Sequence, residues 1–433
     1  MSPSAPRHRL REVAGLFTRL GFTAFGGPAA HVAMMEDEVV RRRGWLDRQH
    51  FLDLMAAVNF VPGPNSTEMA IHLGLIRAGY AGLVTAGVCF ILPAVLIILP
   101  LGWMYVTFGQ VPQVQGVLRG INACVIAIIA AALWRFARTG VKDGFTGGIA
   151  IVATMTGFLA EPEVWRWLEA HAGWLGGLGG VLAGASSALI HHQPELLILA
   201  LSAAAGALYY GRPRIENLTA LPMLLPVPLP LLATVDLGEM GRMALFFLKV
   251  GATLFGSGYV LVSYLQGGLV DQHGWLTKQQ LLDAVAVGQV TPGPLLTTAT
   301  FIGFVLGYGK FGGGLPGGVV GAFVATAAIF FPAFCFIAIL GPLLPRIRRN
   351  RFARGALDGM NAAVVALIFV VAVRLGVSAF GAAPGMNLLA AGPVDVGGLL
   401  VAGISLYVML KWDVNSTWLV LAAGGIGLVR AVL

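Results

Sequence analysis

Long apolar runs separated by short polar segments pattern the chain, and no stretch alternates like a strand between turn signals. The runs at 81–101, 120–133, 319–340 and 418–429 carry no charged residue. A membrane span needs roughly 20 apolar residues, so these runs predict membrane helices, the last one needing its flanks. Two of the apolar segments are interrupted by Pro62-Gly63-Pro64 and Pro292-Gly293-Pro294. Proline removes a backbone donor and clashes with the preceding turn, so each triplet predicts a broken helix. Composition agrees with the pattern. The 433 residues are 57% hydrophobic and 11% charged, against about 25% charged in a soluble domain. The reading is an all-α polytopic integral membrane protein, surrounded by the lipid bilayer.

The chain also repeats itself. At an offset of 230, Gly21, Thr23, Phe25 and Gly26 match Gly251, Thr253, Phe255 and Gly256. Gly44, Trp45 and Leu46 match Gly274, Trp275 and Leu276, and Gln49, Leu52 and Asp53 match Gln279, Leu282 and Asp283. The triplets match each other, as do Thr67 and Thr297. After a nine-residue insertion the offset becomes 239, aligning Pro93 with Pro332, Gly120 and Asn122 with Gly359 and Asn361, and Arg135 with Arg374. Apolar composition alone does not align Trp, Asp, Asn and Arg at two consistent offsets. Two homologous halves follow, a frequent design of secondary transporters, in which the second half is often inverted. The expected organisation is a first core at 1–140, added membrane helices with a Pro/Leu-rich linker at 141–240, a second core at 241–380 and C-terminal helices at 381–433.

Charge bears on orientation. The formal charge is +8, and basic residues concentrate in cytoplasmic loops. Arg7, Arg9 and Arg11 precede the first apolar segment and Arg41–Arg43 follow it, which fits an element that turns back at Gly26-Gly27-Pro28. In the second half the strongest cluster comes after the third element, at Arg346, Arg348, Arg349, Arg351 and Arg354. That shift favours an inverted repeat with broken or re-entrant helices. It requires an odd number of crossings between the repeats, for instance runs near 143–160, 173–190 and 194–210. The basic residues flank spans rather than forming one soluble face, so nucleic acid is not an expected partner. No secretory signal is expected, because residues 1–12 are polar and basic without a cleavage pattern. Cys89, Cys124 and Cys335 read as packing residues.

Candidate chemistry gathers at the breaks. A helix restarting after Pro64 or Pro294 offers unpaired N–H groups and a positive dipole end, which suits an oxyanion. Pro62, Gly63, Pro64, Asn65, Ser66 and Thr67, with Pro292, Gly293, Pro294, Thr297 and Thr298, are therefore candidate substrate contacts; a kink satisfied by neighbouring helices is the bland alternative. Gly26, Gly27, Gly256 and Ser257 form a second matched break, where glycine allows close approach to a ligand, though packing explains it nearly as well. Asn122 and Asn361 recur inside apolar runs, to line a cavity or to glue helices. Lys249 is a candidate anion contact, with a snorkelling lysine as its alternative. Arg41, Arg42 and Arg43 are candidates for drawing anions to the membrane. Ionisable groups at membrane depth are functional candidates: Glu68 and His31 are assigned to proton coupling, with His72 as a further titratable group. Asp53 and Asp283 read first as residues near helix N-termini, favoured by the dipole, and Arg135 and Arg374 as helix ends. No phosphate-binding loop, metal-ligand spacing or nucleophile motif is present, so neither an enzyme nor a cofactor is expected.

With these residues the sequence resembles the chromate ion transporter family in its long, two-domain form. The resemblance rests on Phe25-Gly26-Gly27-Pro28, on Glu38 and Arg41–Arg43 before Trp45, on Pro62 through Thr67, and on Phe90-Ile91-Leu92-Pro93. The second copy runs from Phe255 through Trp275 to Pro294, with Leu295 and Leu296 where Asn65 and Ser66 stand. Together they cover roughly residues 10–430. The resemblance implies export of chromate across the cytoplasmic (inner) membrane by a multi-pass protein, driven by the proton-motive force and conferring chromate resistance. It implies sulfate as the competing tetrahedral oxyanion, and a homodimer is compatible with it. A sulfate or other oxyanion transporter, a channel and a polytopic membrane enzyme are the alternatives.

Overall fold

The computed structural model describes residues 6–25, 27–159, 194–211, 238–256, 258–341, 343, 347, 350–380, 395–412 and 414–432. Gly26, Ser257, the run at 173–190, the linker at 221–232 and Arg346, Arg348 and Arg349 lie outside them. Among the described residues there is no strand. The first half begins with α1 (Pro6–Thr23), α2 (Gly27–Glu36) with a π-helical turn (Asp37–Arg42), and α3 (Arg48–Val58). It continues with α4 (Asn65–Phe108) and α5 (Pro112–Gly140). Next come α6 (Gly144–Leu159) and α7 (Pro194–Tyr210). The second half begins with α8 (Gly238–Thr253), α9 (Val260–Leu265) with a π-helical turn (Gln266–Gln272), and α10 (Lys278–Val290). A 3-10 turn (Leu295–Thr297) leads into α11 (Thr298–Val305) and a further π-helical turn (Leu306–Lys310). Then come α12 (Gly314–Leu340), α13 (Arg351–Phe380), α14 (Val396–Trp412) and α15 (Ser416–Val432).

Among the described residues four helices, α4, α5, α12 and α13, are long and apolar enough to cross a membrane. On α4, Val84, Val88, Leu92 and Leu96 stand exposed at four-residue spacing. Such a stripe is a lipid-facing surface rather than one for water. Between the helices, small residues let backbones touch, as expected where lipid removes the usual hydrophobic drive.

The elements recur in both halves. Gly44 and Gly274 turn with φ of 58° and 57°, and Gly63 and Gly293 with 144° and 95°. Alpha4 is two limbs. Ala78 and Gly79 leave helical geometry, and a Cβ at Gly74 would strike the carbonyl of Gly82. Eight residues of straight helix span about 12 Å, so the limb at 65–77 folds back on the one that follows. Alpha11 folds back on α12 in the same way, with Gly303 against Gly321 and Gly307 against Gly317.

The two helices that end the cores, α5 and α13, pack on each other antiparallel. A Cβ at Gly140 would lie 3.0 Å from the Asn361 carbonyl oxygen, and one at Gly376 would lie 3.8 Å from Ile126. The later helices exchange partners. Gly116 and Gly120 of α5 pack on Gly427 and Ala423 of α15, and their counterparts Gly355 and Gly359 of α13 pack on Gly206 and Ser202 of α7. Each half therefore covers the other half's last core helix with its own trailing helix, through a Gly-x-x-x-Gly face that admits no side chain.

Candidate functional site

The two Pro-Gly-Pro breaks interlock with the breaks after α1 and α8. The N–H of Gly63 donates to the carbonyl of Leu254 at 2.7 Å, and the N–H of Gly293 donates to the carbonyl of Ala24 at 3.0 Å. Ala24 and Leu254 are repeat equivalents, so the bonds form a reciprocal pair, each running from one half to the other. Proline frees backbone groups at a depth where unpaired ones are costly, and each half supplies what the other lacks. Side chains follow the same symmetry. A Cβ at Gly63 would lie 3.5 Å from Ala333, and one at Gly293 would lie 3.0 Å from Ala94.

Next to this crossing is a cavity of about 280 Å³, bounded by Pro28 and Asn65 of the first half, Gly256, Gly258 and Tyr259 of the second, and Arg135 on α5. Its remaining walls are mostly apolar, with Ile128, Phe136 and Met409. A small, largely apolar cleft with a few convergent polar groups is the usual form of a ligand site. The amides of Thr67 and Glu68 donate to the Pro64 carbonyl. Among the described residues, those of Asn65 and Ser66, in the first turn of α4, have no carbonyl partner. The Asn65 side chain donates to Asn59 at 2.6 Å, which fixes its orientation at the cavity edge.

The predicted residues divide sharply between the halves. Ser66, Thr67 and Glu68 are buried, and neither Thr67 Oγ1 nor either carboxylate oxygen of Glu68 has a hydrogen-bond partner. Glu68 lies against Gly63, where a Cβ would collide with Oε1. In the second half, the hydroxyls of Thr297 and Thr298 donate to the carbonyls of Pro294 and Leu295 at 2.7 and 2.8 Å. His31 bonds to the Ala24 backbone and meets Phe90 edge-on, placing it at the interlock. Gly27, at φ 82°, approaches the Tyr259 hydroxyl. Asn361 sits beside Gly256, its Oδ1 3.4 Å from where a Cβ would be. Asn122 is elsewhere: its Nδ2 donates to Asp283 at 2.7 Å.

The basic candidates are largely engaged. Glu38, 6% exposed, gathers Arg19 at 2.5 Å, Arg42 at 3.2 Å and Arg43 at 3.2 Å, while Arg42 also reaches Asp37 at 2.8 Å. Burial pushes the Glu38 carboxyl upward, but the three guanidinium groups outweigh it and hold the acid below its ordinary range. Arg43 and Arg77 both lie over the Trp45 ring, and Arg77 clamps Glu12 of α1. The surface charge left to draw an anion is that of exposed Arg41. Lys249, the repeat partner of Arg19, has Glu195 of α7 as its charged neighbour, and Glu195 reaches in over Gly267. A carboxylate from another helix thus stands near the place that Glu38 fills in the first half.

The sequence model of chromate transporters matches residues 11–207 and 241–428. The chain belongs to the chromate transporter family. A chromate transport protein of Cupriavidus metallidurans is 30% identical over 428 residues, covering 98% of this chain and 94% of its own. A probable chromate transport protein of Synechococcus elongatus is 31% identical over 375 residues, covering 86% of each. A chromate transport protein of Pseudomonas aeruginosa is 30% identical over 383 residues, covering 87% of this chain and 84% of its own. No solved structure matches. For this member of the chromate transporter family, three features of the site escape sequence reasoning. Arg135 has the ordinary signature of a helix-end arginine, yet it lines the cavity. Tyr259 has no partner in the first repeat to draw attention to it. Asp283 is 3% exposed and accepts from Tyr105, Asn122 and Gln279 rather than sitting at a helix start. The recurrence of both Asp and Asn across the halves was the available signal for the last.

Proposed function

We propose that the protein exports chromate across the cytoplasmic membrane at the expense of the proton-motive force, with sulfate as competitor, and so confers chromate resistance. The observation that carries this reading is the cavity of about 280 Å³ at the crossing of the broken helices, whose wall holds both Arg135 and Asn65 of the first turn of α4. A tetrahedral oxyanion there meets a guanidinium charge, the amides of Asn65 and Ser66 at a positive helix end, and the polar edge of Tyr259. The apolar walls strengthen each of these interactions by excluding water. Arg41 draws the anion to the surface, and rocking of one core against the other opens the cavity to each side in turn. The cores are 1–140 and 241–380, and the helices at 141–240 and 381–433 brace them. The antiparallel contact of the equivalent helices α5 and α13 supports an inverted repeat, since repeats related by an axis along the membrane normal would run parallel.

Glu68 is the coupling group of this scheme, with His31, bonded to the Ala24 backbone, as a second titratable group at the interlock. Its oxygens have no partner, and a buried carboxylate in that state needs a proton or a cation. Chromate uptake into everted membrane vesicles tests the proposal, with sulfate and molybdate as competitors and an uncoupler as control. Concentrative, sulfate-sensitive uptake that the uncoupler abolishes is expected. Flux that only equilibrates and ignores the uncoupler identifies a channel and refutes the export mechanism.

A further inference from the structure

A second buried carboxylate lies away from the cavity, and the export mechanism does not use it. Asp283 of α10 belongs to the second half, but two of its three hydrogen-bond donors belong to the first. The Tyr105 hydroxyl of α4 donates to Oδ2 at 2.9 Å, and Asn122 Nδ2 of α5 donates to Oδ1 at 2.7 Å. The third, Gln279 of α10 itself, donates to Oδ1 at 3.0 Å. Among the described residues these are the groups that face it. Alpha11, α13, α15 and the turns at Gln266–Gln272 and Leu295–Thr297, also packed against α10, bring no charged or titratable side chain within hydrogen-bond or ion-pair distance, and Asp271 of the first turn pairs instead with Arg374. A buried carboxylate whose partners are all neutral is not part of a structural ion pair. Asn122 Oδ1 is also buried and has no partner, which leaves an acceptor open in the same cluster.

One of these donors also borders a cavity. Tyr105 lines a vestibule of about 540 Å³, and its ring packs edge-on against Phe301. Trp275, Thr277, Gln280, Tyr308 and Lys310 form other parts of its wall. Tyr105 therefore belongs both to the wall of this vestibule and, through its hydroxyl, to a carboxylate that is 3% exposed. Its repeat counterpart is less enclosed: Asp53 is half-buried and accepts from Gln49 at 3.3 Å.

We propose that Asp283 is a proton-binding site, loaded from the vestibule through Tyr105, and that its protonation state sets how firmly the two halves are joined. The step is a balanced relay. A hydronium in the vestibule gives a proton to Tyr105 Oη as the hydroxyl proton passes to Asp283 Oδ2. The vestibule is left with water, and Tyr105 then accepts from the new carboxylic acid. In the charged state Asn122 and Tyr105 bind α10 through charge-assisted hydrogen bonds, roughly twice as strong as neutral ones. Loading a proton removes that assistance at both cross-half contacts. The position suits coupling, because rocking of the halves must break these contacts.

The proposal rests on the transport reading in one arm of its test and not in the other. In the first arm, infrared spectra of the purified full-length protein are recorded across pH without any anion. One titrating protonated-carboxyl band should be lost in Asp283→Asn, and that same band should persist in Tyr105→Phe and in Glu68→Gln, which removes only Glu68's own contribution. In the second arm, proteoliposomes are assayed for chromate counterflow and for chromate uptake driven by an imposed pH gradient. Asp283→Asn should keep counterflow and lose gradient-driven uptake on the order of tenfold or more, the effect of one charge-assisted hydrogen bond. Tyr105→Phe, which keeps the ring on Phe301, should slow gradient-driven uptake while sparing counterflow. Unchanged infrared titration in Asp283→Asn overturns the proposal, and so does wild-type gradient-driven uptake in either variant. If Asp283→Asn does not fold, Tyr105→Phe alone decides the second arm. Wild-type vesicles without chromate counterflow would instead refute the transport reading, leaving the infrared arm to decide Asp283.

Discussion

Gly63 is where the architecture makes its most quantitative demand. Its φ of 144° lies in a region that side chains rarely enter, and holding alanine there costs about 1–3 kcal/mol. A Cβ would also collide with Glu68 Oε1 and come within 3.2 Å of Glu68 Cδ and 3.5 Å of Ala333. Either the carboxylate or the Pro-Gly-Pro loop must move. Moving the loop breaks the Gly63 N–H bond to Leu254, and an orphaned buried amide costs about 1–3 kcal/mol more. Gly63→Ala should therefore lose about 2–6 kcal/mol. Gly79 supplies the control. It has φ of 65° but no heavy atom within 4 Å of a Cβ, so Gly79→Ala should lose only about 1–2 kcal/mol. Unfolding of the detergent-purified protein by added denaturing surfactant, followed by tryptophan fluorescence, measures both. A cycle with Glu68→Ala isolates the collision, because removing the carboxylate should return part of the loss. The reasoning fails if Gly63→Ala is no worse than Gly79→Ala, or if the cycle shows no coupling between positions 63 and 68.

Other consequences follow from the same packing. Gly120→Leu drives a side chain into the carbonyl of Ala423 and should cost about 1–3 kcal/mol by overpacking; Gly148→Leu, inside α6 with open space around it, should lose nothing and gain up to about 1 kcal/mol of helix propensity, and equal losses would remove the helix-exchange argument. Glu12 is held below its ordinary 4.5 first by its hydrogen bond from Arg77, and Glu38 is held below it by its arginines against the pull of burial. Both acids take up protons more readily unfolded than folded, so their stabilisation is complete above pH 4.5 and fades as pH falls through their lower folded values. Glu38→Gln should flatten the acid limb of a thermal-stability profile, and an unchanged limb would contradict the arginine cluster's role. Single cysteines replacing Gly44 and Gly274 should react with a membrane-impermeant reagent from opposite faces of sealed vesicles; labelling from one face would refute inversion.

The sequence made the breaks and the two halves legible because Pro, Gly and Trp are rare enough at fixed spacing to align without ambiguity. Gly79 and the glycines around 307–321 marked the fold-backs only weakly, since glycine is abundant along every helix. The exchange of α7 and α15 was not legible at all. It joins residues far apart in sequence through faces without polar signature, and an all-apolar helix gives no moment to say which side is buried. Charged residues misled for a related reason. Arg41–Arg43 form the conspicuous basic run, yet Arg42 and Arg43 close on Glu38, while the lone Arg135 between Trp134 and Phe136 borders the cavity. Asp283 falls near a helix start by count, but a turn and a half further on its side chain is inside. What local sequence could not provide was the identity of the neighbour across the halves, and that identity decides whether a polar residue binds, braces or couples.

The account stands most directly on Arg135. Binding of chromate to the purified protein, measured by equilibrium dialysis with sulfate as competitor, should be saturable and should weaken about 10–100-fold in Arg135→Gln, the worth of one charged hydrogen bond. The variant should unfold at the wild-type surfactant concentration, which separates lost contact from lost structure. Wild-type affinity in Arg135→Gln would contradict the assignment of this cavity as the oxyanion site.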